Sequence, residues 1–172
     1  MRVSEAGTRA VHEGLKAAGV GLVSALPESW IAPLVRAAEA DPELKVVLVA
    51  KEEEGVGICA GAHFGGVRAA LLMQNHGFLQ SVNGVVSLAM LYRIPLLMLV
   101  SDRGHLGERD PWQTEGGRYT RPLLEALNIV YDELRDPGQV RRQVVDAAAL
   151  AESSLAPVAL LLTRPLMVEE TA

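Results

Sequence analysis

The chain has 172 residues, 49% hydrophobic and 22% charged, with a formal net charge of −5 and one cysteine. That size and apolar share suit a single globular domain, and the interspersed charge excludes a broad nucleic-acid footprint. One cysteine excludes an internal disulfide framework, and no cysteine-histidine spacing suits a zinc site. The first residues carry Glu5 and Arg9 rather than an apolar signal core, and no apolar run reaches the ~18 residues of a membrane span. A soluble protein of the reducing cytoplasm is expected.

Apolar residues recur at helical spacing from Ser4 to Ala18, with Ser4 suited to cap the start and Gly19 to close the end. Gly21 to Leu26 is a short apolar strand stopped by Pro27, and Trp30 to Ala40 reads as a second helix closed by Asp41-Pro42. Val46 to Ala50 is a β-branched strand that feeds Lys51, the glutamates Glu52, Glu53 and Glu54, and a small-residue helix from Gly55 to Gly66. Val67 to Met73 is a strand, Gln74-Asn75-His76-Gly77 a turn and Ser81 to Leu91 an apolar helix. Pro95 to Ser101 is a strand that ends in Asp102-Arg103-Gly104. A long irregular loop is expected from Arg103 to about Tyr119. A helix over Pro122 to Leu127, a short strand over Asn128 to Tyr131, a helix over Pro137 to Ser153 and a strand over Pro157 to Leu162 complete the chain.

Strand and helix alternate, and the strands are continuously apolar, as they are when a parallel sheet is buried on both faces. The expected fold is α/β, a three-layer α/β/α sandwich around a mostly parallel six-stranded sheet, forming one domain over residues 1–172. Ligands of such sheets sit outside the carboxyl ends of the strands. Four successive strand ends then line one edge with Glu28-Ser29, Glu52, Gln74 to Gly77, and Asp102 to His105.

Glu52 follows a strand and opens a helix, near that helix's positive end. An acidic first turn is also ordinary helix stabilisation, and three consecutive glutamates fit that equally. Helical glycines cost about 1 kcal/mol each relative to alanine, so Gly55, Gly57 and Gly61 imply close approach by a ligand or a partner backbone. Arg103, Arg109, Arg118 and Arg121 surround the long loop, as an anion-binding set or as solvated surface charge. Cys59 reads as a small core residue.

The runs Lys51 to Ala62, Ala70 to Asn83 and Ile94 to Gly104 together resemble the pyrimidine-binding (PYR) domain of thiamine-diphosphate-dependent decarboxylases, with sulfopyruvate and phosphonopyruvate decarboxylases most similar. The resemblance covers nearly the whole chain and aligns Glu52 with the family glutamate that hydrogen-bonds the cofactor's aminopyrimidine ring nitrogen. That role asks for a carboxylate in a dry pocket, able to exchange one proton at small cost. Gln74, Asn75 and Gly77 correspond to the turn beside the pyrimidine, where the family often has serine in place of His76. His76 is a candidate substrate donor or proton donor, and Asn83 a structural asparagine. Glu28 is a candidate for proton transfer or a helix-entry charge, and Ser29, Arg103, His105 and Arg109 are candidate contacts for an anionic substrate.

The resemblance implies thiamine diphosphate with Mg2+ held elsewhere, because the family's Gly-Asp-Gly segment does not occur in this sequence. A separate beta subunit is implied as its carrier, meeting an apolar surface around residues 55–66 and 78–91, with alpha–alpha contacts in a hetero-oligomer. No metal ligand is assigned to this chain. The implied reaction is decarboxylation of an anionic 2-keto acid such as 3-sulfopyruvate, with phosphonopyruvate as the alternative. A non-catalytic binding module descended from such a domain and a flavodoxin-like nucleotide binder stay open, the latter without a phosphate-cradling glycine fingerprint.

Overall fold

The computed structural model describes residues 2–169. A first short strand, β1 (Arg2–Val3), leads into α1 (Glu5–Ala17), β2 (Leu22–Ala25), α2 (Ala32–Glu39) and β3 (Lys45–Leu48). Next come α3 (Glu52–Phe64), β4 (Ala69–Gln74), α4 (Asn75–Gly84) with a π-helical continuation over Val85–Met90, and β5 (Leu96–Ser101). The described residues end with α5 (Pro111–Ala126), β6 (Val130–Leu134), α6 (Pro137–Ser154), β7 (Pro157–Leu162), α7 (Arg164–Met167) and β8 (Val168–Glu169).

Six strands form one sheet in the order β3-β2-β4-β5-β7-β6. Every neighbouring pair in it is parallel, so the sheet is wholly rather than mostly parallel. The continuous apolar runs divide by pleat, since successive side chains of a strand point to opposite faces. Ala70 and Leu72, Leu97 and Leu99, and Val158, Leu160 and Leu162 enter one core with residues of α1, α2, α6 and α7. Leu71 and Met73, Leu96, Met98 and Val100, and Ala159 and Leu161 enter the other with α3, α4 and α5. Two cores of opposite pleat make the α/β/α sandwich.

Local chemistry sets the helix ends. The Ser4 hydroxyl accepts from the Gly7 backbone N–H at 3.0 Å, a cap worth roughly 1 kcal/mol. Gly19 follows α1 at φ +72°, a conformation glycine adopts without penalty.

The structure departs from the sequence reading in four places. The segment 74–77 is not a turn: Gln74 ends β4 and Asn75 begins α4, whose π-helical extension carries it to Met90. The loop assigned to residues 103–119 is shorter, because α5 starts at Pro111, where the missing N–H of proline is harmless. Gly116 and Gly117, expected in the loop, and Pro122, expected to open a helix, all lie inside α5, where packing overrides propensity. A Cβ on Gly117 would stand 3.0 Å from Gly104 Cα, and one on Gly116 would stand 2.7 Å from His76 Cε1. The edge strands β3 and β6 are partly exposed, with Leu48 and Val130 facing out. Finally, β1 and β8 pair antiparallel as a separate ribbon.

Candidate active site at the carboxyl edge of the sheet

The ends of β3, β2, β4 and β5 are adjacent in the sheet, so the four expected segments share one edge. On α3 the buried positions are Glu52, Gly55, Val56, Cys59 and Ala60, a stripe at helical spacing whose first member is the glutamate. Glu52 is 4% exposed. Its side chain lies against Gly77, where a Cβ would stand 2.5 Å from the carboxyl carbon. Glycine at the third residue of α4 is thus what admits the carboxyl group.

The neighbouring glutamates have other work. Glu53 accepts from Asn83 Nδ2 at 3.2 Å, tying α3 to α4, and Glu54 accepts from the Ala50 backbone N–H at 3.0 Å. Only Glu52 of the three points into the protein. Gly55 admits α3 to the sheet, with Ser24 Oγ 3.0 Å from where its Cβ would be, whereas Gly57 and Gly61 meet nothing within 4 Å. The close approach expected of the α3 glycines is therefore internal at Gly55 and open at the other two.

The strand-end residues around β4 divide into two sets. Asn75 is fully buried and its Nδ2 donates to the Arg103 carbonyl at 2.7 Å. Gln74 and His76 are half-buried at the rim, and Gln113 Nε2 donates to Gln74 Oε1 at 3.3 Å. In sequence, Trp112 and Gln113 lie in a stretch similar to the phosphonopyruvate enzymes without matching their residue pattern, and that likeness assigns Gln113 no role.

The segment after β2 is a cap. Glu28 Oε1 accepts from the backbone N–H groups of Trp30 and Ile31 at 3.0 and 3.1 Å, the helix-entry alternative for this residue. The Ser29 hydroxyl donates to Glu28 Oε2 at 3.2 Å and accepts from Arg103 Nη1 at 3.1 Å.

Of the four arginines, Arg103, Arg109 and Arg121 line one cavity with Arg135 and Arg164, and Arg118 is not among its lining residues, yet the two least exposed of them are committed to carboxylates. Arg103 is 3% exposed and spans Glu108 with two bonds, Nε to Oε2 at 2.9 Å and Nη2 to Oε1 at 2.8 Å. Its Nη2 also reaches Asp110 Oδ2 at 2.7 Å, and the guanidinium stacks 5.2 Å from the Trp30 ring. Burial pushes the Glu108 carboxyl up, but Arg103 and the backbone N–H groups of Asp110, Gly104 and Arg109 outweigh it and hold the pKa at about 2. Four bonds to protein acceptors make Arg103 the organiser of the loop 102–110.

Arg121 forms a second cluster, with Nη2 2.7 Å from both Asp102 Oδ2 and Glu133 Oε1. His105 Nε2 lies 2.8 Å from Asp102 Oδ1 and 2.6 Å from Arg121 Nη1. Arg109 and Arg118 are exposed. Burial raises the Cys59 thiol to about 12, in keeping with a core residue. Among the described residues, no group of three or more His, Cys, Asp or Glu side chains could hold a metal ion, and no helix is long and apolar enough to cross a membrane.

A parallel α/β sandwich that buries a helix-opening glutamate against a glycine at the next strand end defines a class. The chain belongs to the family described as thiamine pyrophosphate enzyme, N-terminal TPP binding domain, which it matches over residues 5–117. Within that family it is 36% identical over 155 residues to the sulfopyruvate decarboxylase subunit alpha of Methanococcus maripaludis, covering 90% of this chain and 93% of that one. The subunit alpha from Methanothermobacter thermautotrophicus is 37% identical over 155 residues, with 90% of this chain and 94% of the relative covered. Phosphonopyruvate decarboxylase of Streptomyces viridochromogenes is 32% identical over 124 residues, 72% of this chain but 31% of that enzyme. Among solved structures, the 2-oxoglutarate:ferredoxin oxidoreductase of Magnetococcus marinus shares the fold with a TM-score of 0.73 at 20% identity, covering 99% of this chain and 32% of that one.

Proposed function

We propose that this chain is the alpha subunit of a heteromeric, thiamine-diphosphate-dependent decarboxylase of an anionic three-carbon 2-keto acid, with 3-sulfopyruvate as substrate. The observation that carries this reading is Glu52, buried at the start of α3 against Gly77. The similarity to sulfopyruvate decarboxylase alpha subunits over 90% of the chain supports the choice of substrate. Phosphonopyruvate is the second reading, supported by the shorter match to phosphonopyruvate decarboxylase.

The donor set fits the aminopyrimidine half of the cofactor. Glu52 holds an acceptor in a nearly water-free position, and Gly77 leaves room beside it. When bound, thiamine diphosphate supplies the nucleophilic carbon and the electron sink that decarboxylation requires. Glu52 would hydrogen-bond the ring nitrogen and take up or give back the proton there, from a position nearly closed to water. Asn75 fixes the start of α4 by bonding the Arg103 carbonyl. Gln74 and His76 face the substrate from the rim, with Ser29 and His105 near it on neighbouring strand ends.

Magnesium and the diphosphate are assigned to a separate beta subunit that carries the Gly-Asp-Gly segment. Its contact face is α3 with the continuation of α4, where Gly57 and Gly61 are open and Phe64, Val86, Leu91 and Tyr92 are exposed. Alpha–alpha contacts complete the hetero-oligomer, and the compartment is the cytoplasm.

The test is carbon dioxide release from sulfopyruvate and phosphonopyruvate by this chain with its beta partner, thiamine diphosphate and magnesium, beside the same complex carrying Glu52→Gln. The expected loss is about 10²–10⁴-fold, the range of a positioned acid–base group. Turnover of neither acid by a formed complex would sink the enzymatic reading, and full activity of Glu52→Gln would sink the role of Glu52.

A further inference from the structure

The end of β4 and the start of α5 meet in two carboxamides. Gln113 is 6% exposed, its Nε2 donates to Gln74 Oε1, and its own Oε1 is enclosed with no hydrogen-bond partner. Its backbone is clamped as well. The N–H donates to the Asp110 carbonyl at 2.9 Å. The carbonyl carbon lies 3.0 Å from where a Cβ on Gly104 would be, and Gly104 holds φ +83° there.

Leucine or methionine would fill this volume without burying an acceptor that nothing satisfies, a burial that costs stability. The carboxamide is thus better explained by what it does to Gln74. Because Gln74 Oε1 is occupied by Gln113, the Nε2 of Gln74 is directed away from α5. Gln74 is half-buried at the rim, between the end of β4 and the first turn of α4 that carries His76 and Gly77. It there offers N–H donors without a positive charge.

We infer that Gln113 is a positioning residue that locks the Gln74 carboxamide with its Nε2 toward the substrate, where it donates to an anionic oxygen of the 2-keto acid. The inference rests on the decarboxylase reading. Asn75 has no such part, since it is fully buried and holds the Arg103 carbonyl with its Nδ2.

The experiment uses the assembled alpha–beta complex in two arms. Without thiamine diphosphate, sulfopyruvate binding is measured by calorimetry, where nothing turns over; with it, kcat and KM are measured separately. Gln113→Met is expected to weaken binding and raise KM about tenfold while kcat stays within a few-fold. Gln113→Glu, although closest in shape, is expected to be worse, because a carboxylate accepts from Gln74 Nε2 and turns the Gln74 oxygen toward the anion. Gln74→Leu should reproduce the binding defect, and the double variant Gln74→Leu with Gln113→Met should add nothing further. Thermal melts of each variant in the complex identify any that fail to fold, and Gln74→Leu, at the rim, then carries the test alone.

Unchanged sulfopyruvate binding in Gln74→Leu, or additive losses in the double variant, overturns the inference while the decarboxylase reading stands. A wild-type complex that neither binds nor turns over sulfopyruvate or phosphonopyruvate overturns both.

Discussion

Arg103→Met removes a guanidinium and keeps an apolar stem beside Trp30. Glu108 then retains the backbone N–H groups of Gly104, Arg109 and Asp110 but loses the cation that spans both its oxygens. Removing one member of a buried ion pair costs about 3–5 kcal/mol, or roughly 6–20 °C in Tm for a domain of this size. The pH dependence separates charge from packing. Glu108 is held at about 2 against an ordinary 4.5, which corresponds to on the order of 3 kcal/mol. A carboxyl depressed in the folded state contributes that stability above its unfolded pKa and loses it as pH falls through the folded one. The gap between wild type and Arg103→Met should therefore be widest at neutral pH and narrow from about pH 4.5 downward. Urea unfolding at neutral pH, near pH 4.5 and near pH 3 reads it directly. A gap that stays constant across that window would refute the electrostatic account, and one below about 1 kcal/mol at neutral pH would refute the buried pair itself.

Two further outcomes are expected. Gly77→Ala sets a methyl group against the Glu52 carboxyl in a helix that alanine otherwise favours; decarboxylation should fall about 10²-fold by misplacement while the alpha subunit's Tm changes by only a few degrees, and unaltered kcat/KM would show that Glu52 needs no such placement. Cys59, raised to about 12, should label with a thiol reagent at neutral pH only at the rate of unfolding, and rapid native-state labelling would contradict its burial.

The parallel sheet was legible because Leu96 to Val100 and Pro157 to Leu162 are unbroken apolar runs between turn residues, a pattern only doubly covered strands sustain. The first part of helix α5 was not, because Gly116-Gly117 carry the local signature of a loop and Pro122 that of a helix start. The two glycines are there for the carbonyl of Arg103 and the ring of His76, and that requirement is written in distant residues. The inward side of Glu52 was not legible from periodicity, because Gly57, Ile58, Gly61 and Ala62 make the far face of α3 as small and apolar as the buried one; only the resemblance set Glu52 apart from Glu53 and Glu54. Arg103 looked like an anion receptor, and its acceptors Glu108 and Asp110 stood only a few residues on, where a folded-back loop brings them to it. Gln113 meets Gln74 across 39 residues, a pairing that no periodicity announces.

The ribbon of β1 and β8 sets a clock on folding. The Ser4 N–H bonds the Met167 carbonyl at 2.9 Å, and the Glu5 N–H reaches the Glu169 carboxylate across 164 residues. Pairing of the two ends is expected after the six strands between them have assembled, because so distant a contact gains little before its loop is already closed. Protection of the Ser4 amide from hydrogen exchange would thus mark the moment at which the last step of assembly is done, at a position remote from Glu52 and blind to its chemistry.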